Sequence, residues 1–205
     1  MPDRGRRSRG RESDRPPDPE SPAALAAALV PAVVDPPALE RLSRYLGLLS
    51  SWNERTNLTG ARTSAARVEL LVRPVVEVAS RLPGGSLLDV GSGNGSPGLV
   101  LAALRPESPA TLLEPRARRW AFLREAARLM GLDRVDVRRQ RHDDYDGPPA
   151  AVVTVRALRL PLAELAPLAA PGGTVVVWGA RPESDPAFDA EDWGRPGVHA
   201  FRRRG

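Results

Sequence analysis

The segment Leu87-Leu88-Asp89-Val90-Gly91-Ser92-Gly93-Asn94-Gly95-Ser96-Pro97-Gly98 joins an apolar run, an acid and a loop with glycine at alternate positions. Leu99-Val100-Leu101-Ala102-Ala103-Leu104 follows and reads as the start of a helix. A strand, a glycine-rich turn and a helix N-terminus let backbone come close to a ligand. A second apolar run, Thr111-Leu112-Leu113, ends in Glu114 one strand–helix unit later. A carboxylate at that strand tip can accept two hydrogen bonds from a ribose diol. The two segments together describe a pocket for an adenosine-containing cofactor.

Two cofactor classes compete for it. Gly93-Asn94-Gly95-Ser96-Pro97-Gly98 matches the dinucleotide pattern G-x-G-x-x-G, in which the helix N-terminus faces a pyrophosphate. Here Asp89 stands two residues before the first glycine, where its charge repels a pyrophosphate. It suits an ammonium group, such as the methionine end of S-adenosyl-L-methionine, whose sulfonium is also positive. The methyl donor is therefore the favoured ligand over a nicotinamide or flavin. A tight turn that binds nothing is the third reading, and the ordered pair of acids argues against it.

The motif D-x-G-S-G-x-G-x-P-G, followed by T-L-L-E and R-x-x-F-L-R-E, resembles the bacterial 16S ribosomal RNA guanine-N7 methyltransferases, once called glucose-inhibited division protein B. The resemblance runs from Leu39 to Val177. It includes Trp52-Asn53-Glu54-Arg55-Thr56-Asn57-Leu58-Thr59, similar to the family's W-N-x-x-x-N-L-T, and Val155-Arg156-Ala157 at the family's S-R-A or A-R-A turn. Two segments depart from the pattern. R-H-x-x-D-S-L appears as Arg73-Pro74-Val75-Val76-Glu77-Val78-Ala79, and L-K-G appears as Val177-Trp178-Gly179. Both departures fall toward the substrate side.

The resemblance implies a Rossmann-like, class I S-adenosylmethionine-dependent methyltransferase. Gly91, Gly93 and Gly95 would let backbone approach the cofactor, with Ser92, Asn94 and Pro97 completing the loop. Glu114 would hold the ribose, and Asp89 would orient the methionine end directly or through water. Arg141-His142-Asp143-Asp144 falls where the family meets the adenine, with Asp143 a candidate for its amine. A solvated loop is the other reading of those acids. Arg118 and Arg119 open the helix after Glu114, to face RNA phosphate or pair with nearby acids, and Arg119 is grouped with the cofactor contacts. Arg156, after the fourth strand, is the catalytic candidate: it could read guanine or clamp a phosphate, or close its loop in a salt bridge. The expected partner is 16S ribosomal RNA or a small-subunit assembly intermediate. A different RNA, protein or small-molecule substrate on the same fold stays open, as does a non-catalytic RNA-binding protein.

Composition narrows the class. The chain has 205 residues, no cysteine and two histidines, so neither a thiolate nor a histidine metal centre is expected. No apolar run has the length of a bilayer span, which predicts a cytoplasmic protein without membrane contact, expected as a monomer. The net charge is +5, and every one of the 30 basic residues is arginine, which points to GC-rich coding. Only Asn53, Asn57 and Asn94 are asparagine, all within the two family-like motifs. Specific hydrogen bonds or plain turn chemistry would each explain them.

The elements that must position these residues follow from pattern. Residues 1–19 form an Arg/Pro-rich tail, read as disordered, carrying Arg4, Arg6, Arg7, Arg9, Arg11 and Arg15. Either it tethers RNA or it is a solvated low-complexity segment. Residues 20–82 form a helical cap. A helix is predicted over 21–34, broken by Pro36-Pro37. A second carries the stripe Leu39, Leu42, Leu46, Leu49 and Trp52, and a third, over 65–81, is kinked or divided at Pro74. Residues 83–205 form the cofactor-binding domain. Strands are predicted at 86–90, 109–113, 135–137, 151–155 and 174–178, with a further one at 198–201. Helices at 97–104, 116–130 and 160–169 alternate with them. That alternation predicts an α/β fold, a mostly parallel sheet with helices on both faces.

Overall fold

Pro36 and Pro37 begin a helix and do not merely break one, because a proline in the first turn loses no hydrogen bond. They open α2 (Pro36–Asn53), whose stripe of Leu39, Leu42, Leu46 and Leu49, with Tyr45, is buried. Ahead of it, α1 (Pro22–Leu29) is capped by the Ser21 hydroxyl, which accepts from the Ala24 amide at 3.3 Å. This helix ends before Pro31, earlier than the pattern predicts, because a proline disfavours helical backbone in the residue preceding it. The structure, a computed structural model, describes residues 21–205; the tail expected over 1–19 lies outside the described residues.

The predicted third helix is divided near Pro74. α3 (Ser64–Arg67) runs into a π-helical turn over Val68–Val72 and then α4 (Arg73–Ala79). A widened turn absorbs the amide hydrogen bond that proline cannot make. One side chain satisfies carbonyls at the end of α4 and in the turn after it. Arg105 donates to Ala79 O at 2.6 Å, Leu82 O at 2.8 Å and Pro83 O at 2.8 Å.

Five strands run parallel in the order β3 (Val135–Arg138), β2 (Ala110–Leu113), β1 (Leu87–Val90), β4 (Ala150–Arg156), β5 (Ala169–Trp178). An antiparallel pair completes the sheet: β7 (Val198–Arg203) beside β5, and β6 (Phe188–Glu191) at the edge. The connections carry α5 (Gly98–Leu104), α6 (Ala117–Leu129) and the short α7 (Leu162–Leu165). β6 is absent from the sequence-based reading, because only Phe188 among its four residues is a buried apolar side chain.

Side-chain alternation sorts the sheet into two faces. Leu87, Leu112, Val152, Val176 and Trp178 pack with α5, α6 and the cap helices in one continuous core. Leu88, Val90, Leu113, Val153, Val155, Val175 and Val177 pack on the other face with α7. The chain leaves β1 toward β2 on one side and returns as β4 on the other. The carboxyl ends of these strands therefore border a topological switch point, where open α/β sheets bind ligands. No helix among the described residues is long and apolar enough to cross a membrane.

Candidate active site

A cleft of about 400 Å³ opens at that switch point, between the glycine loop and the β3–β4 connection. Gly91, Glu114, Arg119, Arg141 and His142 line it, together with Gln140, and Ala157, Leu158 and Leu160 close it on the far side. Glu114 is buried, at 3% exposure. Its Oε2 accepts from the Gly93 amide at 3.0 Å and its Oε1 from the Arg116 amide at 2.8 Å. The loop and the start of α6 thus set the carboxylate's orientation, and each oxygen keeps a lone pair for a further donor. Gly91 has φ +69°, and a Cβ there would fall 2.3 Å from Leu158 Cδ1. Leu158 lies over the loop backbone, and the positive φ favours glycine at this position.

Asp89 is fully buried, on the cap-facing side of β1. In register across the strands stands Thr154, whose hydroxyl donates to Asp89 Oδ1 at 2.6 Å. Burial pushes the Asp89 carboxyl up to about 6, against the opposing pull of that hydrogen bond and of the Arg156 charge. Its Oδ2 has no hydrogen-bond partner among the described residues. The group therefore stands behind the glycine loop and does not line the cleft.

Arg156 follows Thr154 by two residues and so projects to the same cap-facing side. Its guanidinium donates to Ser96 Oγ at 2.9 Å and to the Leu70 carbonyl. Ser96 Oγ in turn donates to Leu71 O at 2.6 Å. The arginine expected to meet substrate is engaged in tying the π-helical turn of the cap to the glycine loop. The loop closure comes not from a salt bridge but from hydrogen bonds to a hydroxyl and a carbonyl.

The two asparagine-bearing motifs meet. Asn53 Oδ1 accepts from the Leu58 and Thr59 amides at 2.8 and 2.9 Å, shaping the turn after α2. Asn94 Nδ2 donates to Leu58 O at 3.3 Å, and Asn94 Oδ1 accepts from the Ser96 amide at 3.1 Å. The Tyr45 hydroxyl, deep in the core, donates to Asn94 O at 2.9 Å. Asn53 and Asn94 thus have specific hydrogen-bonding roles, whereas Asn57 is exposed.

The other predicted contacts divide in the same way. Ser92 is buried, its hydroxyl donating to Asp89 O at 3.1 Å. Gly95 packs inward: a Cβ would come 2.6 Å from Leu99 Cδ1 and 3.2 Å from Tyr45 Cε2. Pro97 is buried at the entry to α5. Asp143 pairs with Arg141 at 3.0 Å and borders a neighbouring hollow outside the cleft. His142 faces both hollows and its Nε2 lies 2.7 Å from Glu164 Oε2. Arg118 is exposed beside Arg119. Of the residues named from sequence, Gly91, Glu114, Arg119, Arg141 and His142 are brought together in the cleft, with Gly93 behind Glu114. Tyr45, Ser96, Thr154 and Leu158 were not anticipated. Thr154 alone had a usable signal, a hydroxyl on the strand position facing inward with Arg156.

The fit to an adenosine-containing sulfonium is good on three counts. The cleft has nucleoside dimensions, a buried carboxylate opens onto it, and its floor at Gly91 lacks a side chain. Asp89 can act on a ligand's charge only through the loop in front of it.

Comparison with known proteins agrees with this geometry. Residues 38–185 match the family model for rRNA small subunit methyltransferase G. Ribosomal RNA small subunit methyltransferase G of Halorhodospira halophila is 44% identical over 147 residues, 70% of each chain. That of Xanthomonas oryzae pv. oryzae is 33% identical over 189 residues, spanning 90% of this chain and 89% of its own. Among solved structures, a putative O-methyltransferase from Klebsiella pneumoniae superposes with a TM-score of 0.56 at 18% identity, over 89% of this chain and 96% of that one. The sheet order, the cleft at its switch point and these likenesses identify a class I S-adenosylmethionine-dependent methyltransferase fold, and the chain belongs to the rRNA small subunit methyltransferase G family.

Proposed function

We propose that this chain methylates N7 of a guanine in 16S ribosomal RNA, as a monomer acting on the RNA or on a small-subunit assembly intermediate. The observation that carries the reading is the buried Glu114 carboxylate, held by the Gly93 amide at 3.0 Å at the floor of the cleft. Gly91, Glu114, Arg119, Arg141 and His142 would hold S-adenosyl-L-methionine, and Asp89 would contribute charge from behind the loop. When bound, the cofactor supplies an electrophilic methyl on a positive sulfur. Transfer would form the N7–methyl bond as the methyl–sulfur bond breaks with its electron pair left on sulfur, and Gly91 and Glu114 would hold the donor in place for it. N7 carries no proton, so no general base is required, and rate comes from alignment. The cleft fits that demand: its lining holds orienting groups and no nucleophile–base pair. Arg156 acts through Ser96, holding the glycine loop against the cap.

The test is transfer of isotopically labelled methyl to 16S rRNA, followed by chain cleavage specific for N7-methylguanosine. One guanine should acquire the label. Glu114→Ala should weaken cofactor binding by about 1.5–3 kcal/mol, measured by calorimetry, because hydrogen bonds to a charged group are lost. Label on another base, or unchanged affinity in the variant, would overturn the corresponding assignment.

A further inference from the structure

A second cleft, of about 450 Å³, lies on the α7 face of the same sheet edge. Val155 and Val177 form its floor, and its walls are residues 158–161 and 180–183. Leu158 and Leu160 line both clefts, so the two adjoin along these apolar side chains. Leu158 follows Ala157, the only non-glycine residue at positive φ (+56°) among the described residues. The Ala157 amide donates to Trp178 O at 3.2 Å, holding this backbone in an unfavourable region. Arg156 does not reach this cleft, because strand alternation turns it to the opposite face. The charges that do line it are Arg159, Arg181 and one acid, Glu183. The Arg181 guanidinium lies 5.6 Å from the Phe201 ring. Glu183 is exposed and makes no hydrogen bond or ion pair among the described residues.

We propose that this second cleft receives the target guanosine and that Glu183 distinguishes guanine from adenine in it. The inference rests on the guanine-N7 reading. N7 must meet the donor directly where the two clefts adjoin at Leu158, which turns the opposite base edge away from the cofactor cleft. That edge of guanine presents two donors, N1–H and the 2-amino group. A carboxylate accepts both in a bidentate pair. Adenine presents a lone pair at N1 and no amino group at C2, leaving the carboxylate unpaired. Leu158, Leu160, Pro161 and Pro182 offer apolar contact to the faces of the base. Arg159 and Arg181 attract flanking phosphates, which positions RNA without reading it.

The experiment compares wild type, Glu183→Gln and Glu183→Ala on 16S rRNA carrying guanine or inosine at the mapped target position. Inosine lacks only the 2-amino group. Wild type should lose about 10-fold in kcat/KM on inosine, within the range for a lost base contact. Glu183→Ala should lose about 10- to 100-fold on guanine and treat guanine and inosine alike. Glu183→Gln should fall between them. Cofactor affinity, read by calorimetry, should stay at the wild-type value in both variants. Wild-type kcat/KM in Glu183→Ala, or a raised KM with the guanine-to-inosine ratio unchanged, overturns the base-reading role. Failure of wild type to label any 16S rRNA guanine overturns the N7 reading itself, and this inference with it.

Discussion

The turn after β1 and the turns after β4 and β5 border the same crevice, yet they use their polar groups differently. After β1, Ser92, Asn94 and Ser96 all bond within the fold, as do Asp89 behind them and Glu114 opposite. Beyond Arg156, by contrast, Arg159 and Glu183 make no hydrogen bond or ion pair among the described residues. The first region is a scaffold whose polar atoms hold a backbone shape for a ligand. The second presents, in Arg159 and Glu183, side chains available to something that arrives. A residue within a recognisable motif is therefore not automatically a contact residue: Asp89 and Arg156 face away from the clefts.

Gly98→Ala strikes the scaffold hardest. A Cβ there would lie 2.5 Å from Asp89 Oδ2 and 2.9 Å from Asp89 Cγ. Thr154 holds the carboxylate in place, so the overlap is relieved only by moving α5. Chemical denaturation should show a loss of about 1–3 kcal/mol or more, the usual range for overpacking. Wild-type stability would show that the loop is looser than its hydrogen bonds imply.

Asp89→Asn sharpens the comparison through pH. The Asp89 carboxyl is raised from 3.8 to about 6 by burial, so the folded state keeps its proton where the unfolded chain has lost it. Stability from this group is therefore present at low pH and falls as pH rises from about 4 to about 6. Asparagine cannot titrate, so the unfolding free energy of the variant should gain on wild type across that window and level off above it. Parallel curves would place the carboxylate in contact with solvent.

The smallest effect is expected at the rim. Glu183→Gln and Arg159→Ala should each change stability by no more than about 0.5 kcal/mol, as for exposed positions without partners. A larger loss in thermal or chemical unfolding would give the rim a structural role and erase the contrast with the scaffold.

Much of this was legible from pattern because it is local. The leucine spacing of α2, the apolar runs of β1, β2, β4 and β5, and the break near Pro74 all report periodicity or proline chemistry acting over a few residues. β6 was not legible, because an edge strand with one buried side chain has no alternation to read. The early end of α1 follows from Pro31, whose effect on the backbone before it outweighs the apolar run around it. The two departures from the family pattern were visible as isolated substitutions. Only the fold shows that they touch: Trp178 Nε1 donates to Pro74 O at 3.2 Å. Glu77, another altered position in the first segment, pairs with Arg195 beyond β6.

The sequence by itself determined the α/β class, the glycine loop, the acid at each strand tip and the family. Each depends on residue type and short-range spacing, which survive without knowledge of what packs against what. Tertiary structure decided which of those residues face a ligand. Direction comes from register across strands: Asp89 lies opposite Thr154, and Arg156 opposite Trp178, on a face closed by the cap. A buried polar group must find its partners there or pay for desolvation. It also decided that Leu158 borders two clefts, since that depends on one strained alanine and on backbone distant in the chain.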